Sequence, residues 1–194
     1  GRRGLVAGLG IMSSKAFQWP THYNFPPFFT KQPNPETNTQ RIQHWKNLIL
    51  AYCQHNRIFV LNVRETMESS PLFFNESISR RLQVEDAVEI LQYMAGAGLS
   101  EWVGTDKNRC LVFWRKPAEW ADLLYAWVDE RSAIDTVMTL YEIREGEDTE
   151  NADFHGMDHG LLVKVVQILE KQGRAVMFDA GSVDTAGVKF LPPQ

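Results

Sequence analysis

Apolar positions along the chain follow two periods, and the order in which the periods alternate occurs twice. Ile42, Trp45, Leu48, Ile49, Tyr52 and Cys53 recur at three- and four-residue steps, which predicts a core-facing helix from Thr37 to His55. Ile58 to Leu61 reads as a short strand. Asn62 behind it is placed to cap a short helix, and Ser70-Pro71 forces an extended or turning link. Val84, Ala87, Val88, Leu91, Met94 and Ala95 predict a further helix stopped at Gly96 and Gly98. Two strand-like runs follow, Ser100 to Val103 and Cys110 to Trp114, about the polar turn Gly104 to Arg109. Helix, strand, helix, helix and hairpin in that order predict a winged helix.

The order then recurs. Trp120, Leu123, Leu124, Trp127 and Val128 make a helix and Val137 to Leu140 a strand. Leu162, Val165, Val166 and Leu169 make another helix, ending at Gly173. Ala175 to Phe178 and Val188 to Leu191 supply a second wing about the turn Ala180 to Gly187. Trp45 and Trp120 stand 75 positions apart, as do Gly98 and Gly173 (120 − 45 and 173 − 98), so one supersecondary plan is used twice. Arg115-Lys116-Pro117 is too short for a flexible linker and predicts two rigidly related domains. The expected fold class is α+β, mainly helical. Two tandem winged-helix domains, at 36–116 and 117–194, are preceded by an extended proline/aromatic arm at 12–35.

That arm has no period. From Phe17 to Pro35 it reads FQWPTHYNFPPFFTKQPNP, in which Pro20, Pro26, Pro27, Pro33 and Pro35 remove donors while aromatics crowd between them. Contiguous aromatic surface is rarely left in water, and an extended segment of this kind is expected to be offered to a partner rather than folded on its own body. Gly1 to Ile11, ahead of Met12, reads as a tag remnant, and its loose glycine spacing is set aside as a phosphate loop.

Composition narrows the function. The net charge of −4 gives no diffuse attraction to polyphosphate. The two cysteines, Cys53 and Cys110, lie in apolar runs and read as buried free thiols. No apolar stretch is long enough to cross a bilayer, and a cytoplasmic protein is expected. Asn75-Glu76-Ser77 matches a glycosylation acceptor but is common by chance. His155 and His159 in HGMDH lack the glutamate of the HExxH pattern. Gly156 between them places His155 in a loop and His159 in the first helical turn, so no metal is expected. Glu147, Asp148, Glu150 and Asp153 lack the alternation of a calcium loop and read as a solvated acidic loop. No GxSxG, P-loop or paired CxxC occurs from Met12 onward, so neither enzyme activity nor a cofactor is expected.

A winged helix raises the possibility of a DNA groove binder. The residues oppose it. Val84 to Ala97 carries Glu85, Asp86 and Glu89 with no Lys or Arg, and Glu142 to Asp158 holds seven acids against Arg144 alone. Arg80 and Arg81 form too small a basic footprint to offset this. These are expected to be protein-binding winged helices, without direct contact to nucleic acid.

The segments WPTHYNFPPFFTKQPN, SPLFFN, LVFWRKPAEWADLLYAWV, TLYEIREGEDTE and DFHGMD, running from Trp19 to Asp158, resemble the vacuolar protein sorting-associated protein 25 family of ESCRT-II subunits. The resemblance implies a non-catalytic adaptor whose arm docks on the two other ESCRT-II subunits. Its C-terminal winged helix would recruit and nucleate an ESCRT-III subunit during cargo sorting into multivesicular bodies. In that family the arm carries two proline-proline-x-aromatic elements; the second maps to Pro26, Pro27, Phe28 and Phe29, and the first survives as Pro20 and Tyr23. The ESCRT-III surface is expected within Glu142 to Lys171. Recruitment to the endosomal membrane is expected through other subunits, since this chain has no polybasic cluster.

Overall fold

The structure is a computed structural model that describes residues 15–178, 181–182 and 185–193. The expected tag remnant, Gly1 to Ile11, lies outside the described residues, as do 12–14, 179–180, 183–184 and 194, of which 180, 183 and 184 fall in the expected second turn.

The first long helix, α1 (Pro35–Asn56), begins earlier than its apolar period because Asn34 accepts from the Thr37 amide and Pro35 occupies the first helical position, where no amide donor is needed. Its end is closed by Arg57 in the left-handed region (φ 54°) and by the Ile58 amide on the Cys53 carbonyl at 2.8 Å. That closure delays the expected strand, so β1 is Val60–Asn62 rather than Ile58 to Leu61. Asn62 caps α2 (Val63–Ser69) by accepting from Glu65. A small ladder of β2 (Phe74–Asn75) and β3 (Arg80–Arg81), which the apolar pattern does not predict, leads to α3 (Val84–Gly96). The first wing is β4 (Ser100–Val103) and β5 (Arg109–Val112), in the antiparallel order β1-β5-β4.

The second unit repeats this order as α4 (Pro117–Glu130), β6 (Val137–Thr139), α5 (Leu140–Glu145), α6 (His159–Lys171), β7 (Ala175–Phe178) and β8 (Gly187–Phe190), with sheet order β6-β8-β7. The fold is therefore α+β, mainly helical, with two tandem winged helices. The paired landmarks behave alike. Trp45 and Trp120 are the largest fully buried side chains of their units, and Gly98 (φ 72°) and Gly173 (φ 69°) both turn the chain out of a helix in a conformation that disfavours any Cβ.

Helix α5 is not expected from the apolar period, which passes from the strand Val137 to Leu140 directly to the helix about Leu162. Thr139 and Glu142 form a reciprocal capping box, the Glu142 amide on Thr139 Oγ1 at 3.1 Å and the Thr139 amide on Glu142 Oε2 at 2.6 Å. The motif stands in the sequence as T-L-Y-E.

The first sheet is buried on both faces. Leu61, Cys110 and Val112 point into the first unit's core, while Leu111, on the opposite face, is buried with Phe59, Phe113 and Trp120 in the core of the second unit. The uninterrupted apolar run Cys110 to Phe113 reflects this double burial. Ion pairs between Arg115 and Asp153 (3.3 Å) and between Lys164 and Glu101 (2.7 Å) frame the junction. The two units thus meet through a shared hydrophobic layer.

Candidate protein-interaction surfaces

The N-terminal segment is not extended, and its aromatics are not all free; here the structure corrects the sequence reading. Thr21–Asn24 and Pro26–Phe29 form two 3-10 turns, because proline fixes φ in the helical range and its missing donor is not required at the start of a turn. Tyr23, Phe28 and Phe29 are only 6%, 5% and 2% exposed, respectively, and belong to the first unit's core. Phe28 lies flat on Trp45 with centroids 4.2 Å apart, and Phe29 meets the same indole edge-on at 5.4 Å. The Phe28 carbonyl accepts from both Arg41 Nε (2.8 Å) and Trp45 Nε1 (2.9 Å).

Arg41 is buried and completes a network with Asn38 Oδ1 (3.1 Å) and Asp86 Oδ2 (3.2 Å). Desolvation, the largest influence, lowers its pKa, and the Asp86 carboxylate opposes that. The Tyr23 hydroxyl donates to the Pro71 carbonyl, and burial followed by the neighbouring Tyr52 pushes it up to about 12. Asn75 Nδ2 donates to the Tyr23 carbonyl at 2.8 Å, tying the segment to β2. Trp19 stacks on Tyr23 at 4.1 Å, and Phe17 packs edge-on against Trp19 and Tyr52.

The remaining members of the predicted set face outward. Pro27 is exposed, Pro20 and Pro26 are half-buried, and between them Phe25 is 60% exposed. Phe25, Pro27, His22 and His44 line a cavity of about 250 Å³ floored by Phe28 and Arg41. Phe25 was absent from the proline-aromatic assignment because it lies between the two elements. Its exposure becomes evident only once both turns are formed.

In the second unit, α5, the turn Glu147–Thr149 and the loop to Asp158 carry the acidic surface. Glu142, Glu145, Glu147, Asp148, Glu150 and Asp153 are exposed, as is Tyr141 at 55%. The loop is held from beneath by buried Phe154 and Met157, with Phe154 edge-on to Trp127 at 5.4 Å. It is also held from the first unit by Arg57, whose guanidinium donates to the carbonyls of Ala152, Asp153 and His155. His155 sits in the loop with Nδ1 3.0 Å from Thr149 Oγ1, and His159 opens α6 behind the Asp158 cap, so the two imidazoles have separate duties. Among the described residues no group of three or more His, Cys, Asp or Glu could hold a metal ion, and no helix is long and apolar enough to cross a membrane.

Lys164 of α6 is engaged with Glu101 of the first unit, and Asp158 at the helix cap lies 3.9 Å from Arg109. The helix that would enter a DNA groove is thus pinned against protein. Arg81 is used internally as well, donating to the Met67 carbonyl and lying over the Phe74 ring at 4.3 Å.

Comparisons with known proteins agree with this arrangement. A family model described as "ESCRT-II complex subunit" matches residues 22–158. Vacuolar protein-sorting-associated protein 25 of Danio rerio is 41% identical over 176 residues, covering 91% of this chain and 99% of the relative. The Homo sapiens protein of the same name is 39% identical over 176 residues, with 91% and 98% covered. A crystal structure of subunit VPS25 of the endosomal trafficking complex ESCRT-II superposes with a TM-score of 0.78 at 29% identity, covering 89% of this chain and 98% of that one. A chain of the crystal structure of the endosomal complex ESCRT-II (VPS22/VPS25/VPS36) gives 0.77 at 30% identity, with 88% and 98% covered.

Proposed function

Because the chain belongs to the family of ESCRT-II complex subunits, we propose that it is a non-catalytic adaptor that docks on two other subunits of an ESCRT-II complex through residues 17–34. The observation that carries this reading is the division of labour within that segment. Tyr23, Phe28 and Phe29 are internal anchors, and they fix Pro20, Phe25, Pro26 and Pro27 in one pre-formed outward relief. A segment already ordered by its own domain loses little conformational freedom on binding, which favours affinity. The solved ESCRT-II assembly in which a similar chain accompanies VPS22 and VPS36 supports the choice of partners.

The second winged helix, through the surface within Glu142 to Lys171, recruits an ESCRT-III subunit. Its exposed carboxylates would steer a partner bearing Lys and Arg, and Lys164 does not offset them because it is paired with Glu101. In this reading the rigid junction sets the direction in which the second unit is presented, and contact with the endosomal membrane is made by other subunits.

The test is a pulldown of the two other ESCRT-II subunits by the chain, by Phe25→Ala, and by a chain lacking residues 17–34. Loss of capture with Phe25→Ala at an unchanged unfolding temperature supports the reading. Full capture by Phe25→Ala together with Pro27→Ala overturns it.

A further inference from the structure

Two of the five histidines meet on the first unit, one from the N-terminal segment and one from α1. His22 stands in the turn Thr21–Asn24 and His44 one residue before the buried Trp45, and their ring centroids lie 4.6 Å apart at a tilt of 42°. Among the described residues no hydrogen bond reaches either ring, and Nε2 of His22 is shut away from solvent as well. A buried imidazole nitrogen without a partner is uncommon in a folded chain and calls for an explanation such as a bound water or ion. The ring is not free to turn away. Phe28 meets it edge-on at 4.9 Å, and Tyr23 and Phe28 hold the surrounding segment in the core.

We propose that His22 and His44 form a two-histidine site for a divalent transition-metal ion such as zinc, in the cavity of about 250 Å³ that Phe25 and Pro27 also line. Imidazole nitrogen is a ligand such ions favour. The separation of the rings fits one shared ion. Two imidazoles bonded at about 2.0–2.1 Å to one ion, at about 90–110° to each other, place their centroids roughly 4.5–5.2 Å apart, a range that includes the observed 4.6 Å. His44 is exposed and histidine χ2 is broad, so its ring can bring a nitrogen toward Nε2 of His22 without moving α1. Charge does not oppose the ion. Arg41, the base in the same cavity, is held by Asp86 at 3.2 Å and by the Phe28 carbonyl at 2.8 Å. Burial, and then His44, lower the pKa of His22 and so favour the neutral imidazole that a metal requires. Two protein ligands leave the remaining coordination positions to water. An ion held by both rings ties the turn Thr21–Asn24 to α1 and thereby fixes the outward relief of Phe25 and Pro27. The site does not depend on which partner that relief meets.

The experiment is a zinc titration of the full chain at about pH 7.5, where ordinary imidazoles are neutral, read by NMR on the ring protons of all five histidines. Saturable shifts of His22 and His44 at one ion per chain are expected, together with a raised unfolding midpoint that a chelator reverses. His44→Ala and His22→Gln should each weaken binding by at least about tenfold, the lower end of what loss of even an outer-shell partner costs a metal site. Because His44 is exposed, the zinc-free His44→Ala chain should melt with the wild type, which separates loss of a ligand from loss of the fold. The absence of a saturable shift up to millimolar zinc, undiminished affinity in His44→Ala, or shifts centred on His55, His155 or His159 would each overturn the proposal; the first would leave water as the partner of Nε2.

Discussion

Replacing Phe28 by Ala tests whether the N-terminal segment belongs to the partner or to the first domain. The ring is 5% exposed and stacked on Trp45, so its loss leaves a void beside an indole that cannot follow it, an effect of about 3–5 kcal/mol. For a domain pair of this size a destabilisation of about 4 kcal/mol lowers the unfolding midpoint by roughly 8–16 °C. Phe25→Ala removes a ring that is 60% exposed, and its effect on the midpoint should stay within roughly 0.5 kcal/mol. Both variants are expected to lose the other ESCRT-II subunits, for different reasons, and circular-dichroism melts run beside the pulldown separate them. A Phe28→Ala chain that melts with the wild type yet fails to assemble would refute the burial argument and restore the free-arm picture.

Asp86→Ala strands the buried Arg41 guanidinium and should destabilise by about 3–5 kcal/mol in urea titrations, more than the paired replacement Arg41→Met with Asp86→Leu. His22, whose Nε2 is buried without a hydrogen-bond partner, has its pKa lowered by burial and then by His44, 4.6 Å away. A base with a depressed folded pKa contributes fully above its unfolded value of 6.5 and loses that contribution as pH falls through the lower folded value. Protection factors over residues 20–30, corrected for the intrinsic pH dependence of amide exchange, should therefore fall on moving from neutral pH to about pH 5, and His22→Phe should blunt the change. Cys53 and Cys110 are fully buried and burial raises both thiols, Cys110 to about 11, so a thiol reagent should react only after denaturation. Arg57→Ala removes a clamp on the carbonyls of the acidic loop; faster exchange at 152–157 with an unchanged melting point is expected, and unaltered exchange would contradict the clamp.

The elements with strong periodicity were legible in the sequence, and so was the duplication, because Trp45 with Trp120 and Gly98 with Gly173 occupy places where volume or a left-handed backbone admits few residues. Two other features were misjudged for one shared reason. The arm's bounds take in Pro35 and no helix is expected at Leu140–Glu145, although Asn34-Pro35 and T-L-Y-E are both start signals for helices; a proline and a run of acids look like breakers and mask the capping chemistry. The state of Tyr23, Phe28 and Phe29 could not be read locally at all. Their burial depends on Trp45, Arg41, Pro71 and Asn75, which lie up to 52 positions away, and a proline-aromatic run is equally compatible with an exposed ligand and an internal clasp.

The same logic explains why the two sheets read differently. In the first, Cys110, Leu111, Val112 and Phe113 are all apolar because each side of β5 meets protein. In the second, Gly187, Val188, Lys189 and Phe190 alternate, as expected of a sheet with one wet face. A strand that alternates would ordinarily place polar groups at every outward position. Here the outward positions hold Val137, Val176 and Phe178 beside Thr139, Gly187 and Lys189, so β7 departs from the rule at both outward positions and β6 at one. Exchanging Val176 and Phe178 for Thr should leave the melting point unchanged, since neither is buried; a large fall would mean that they serve the fold and not a partner.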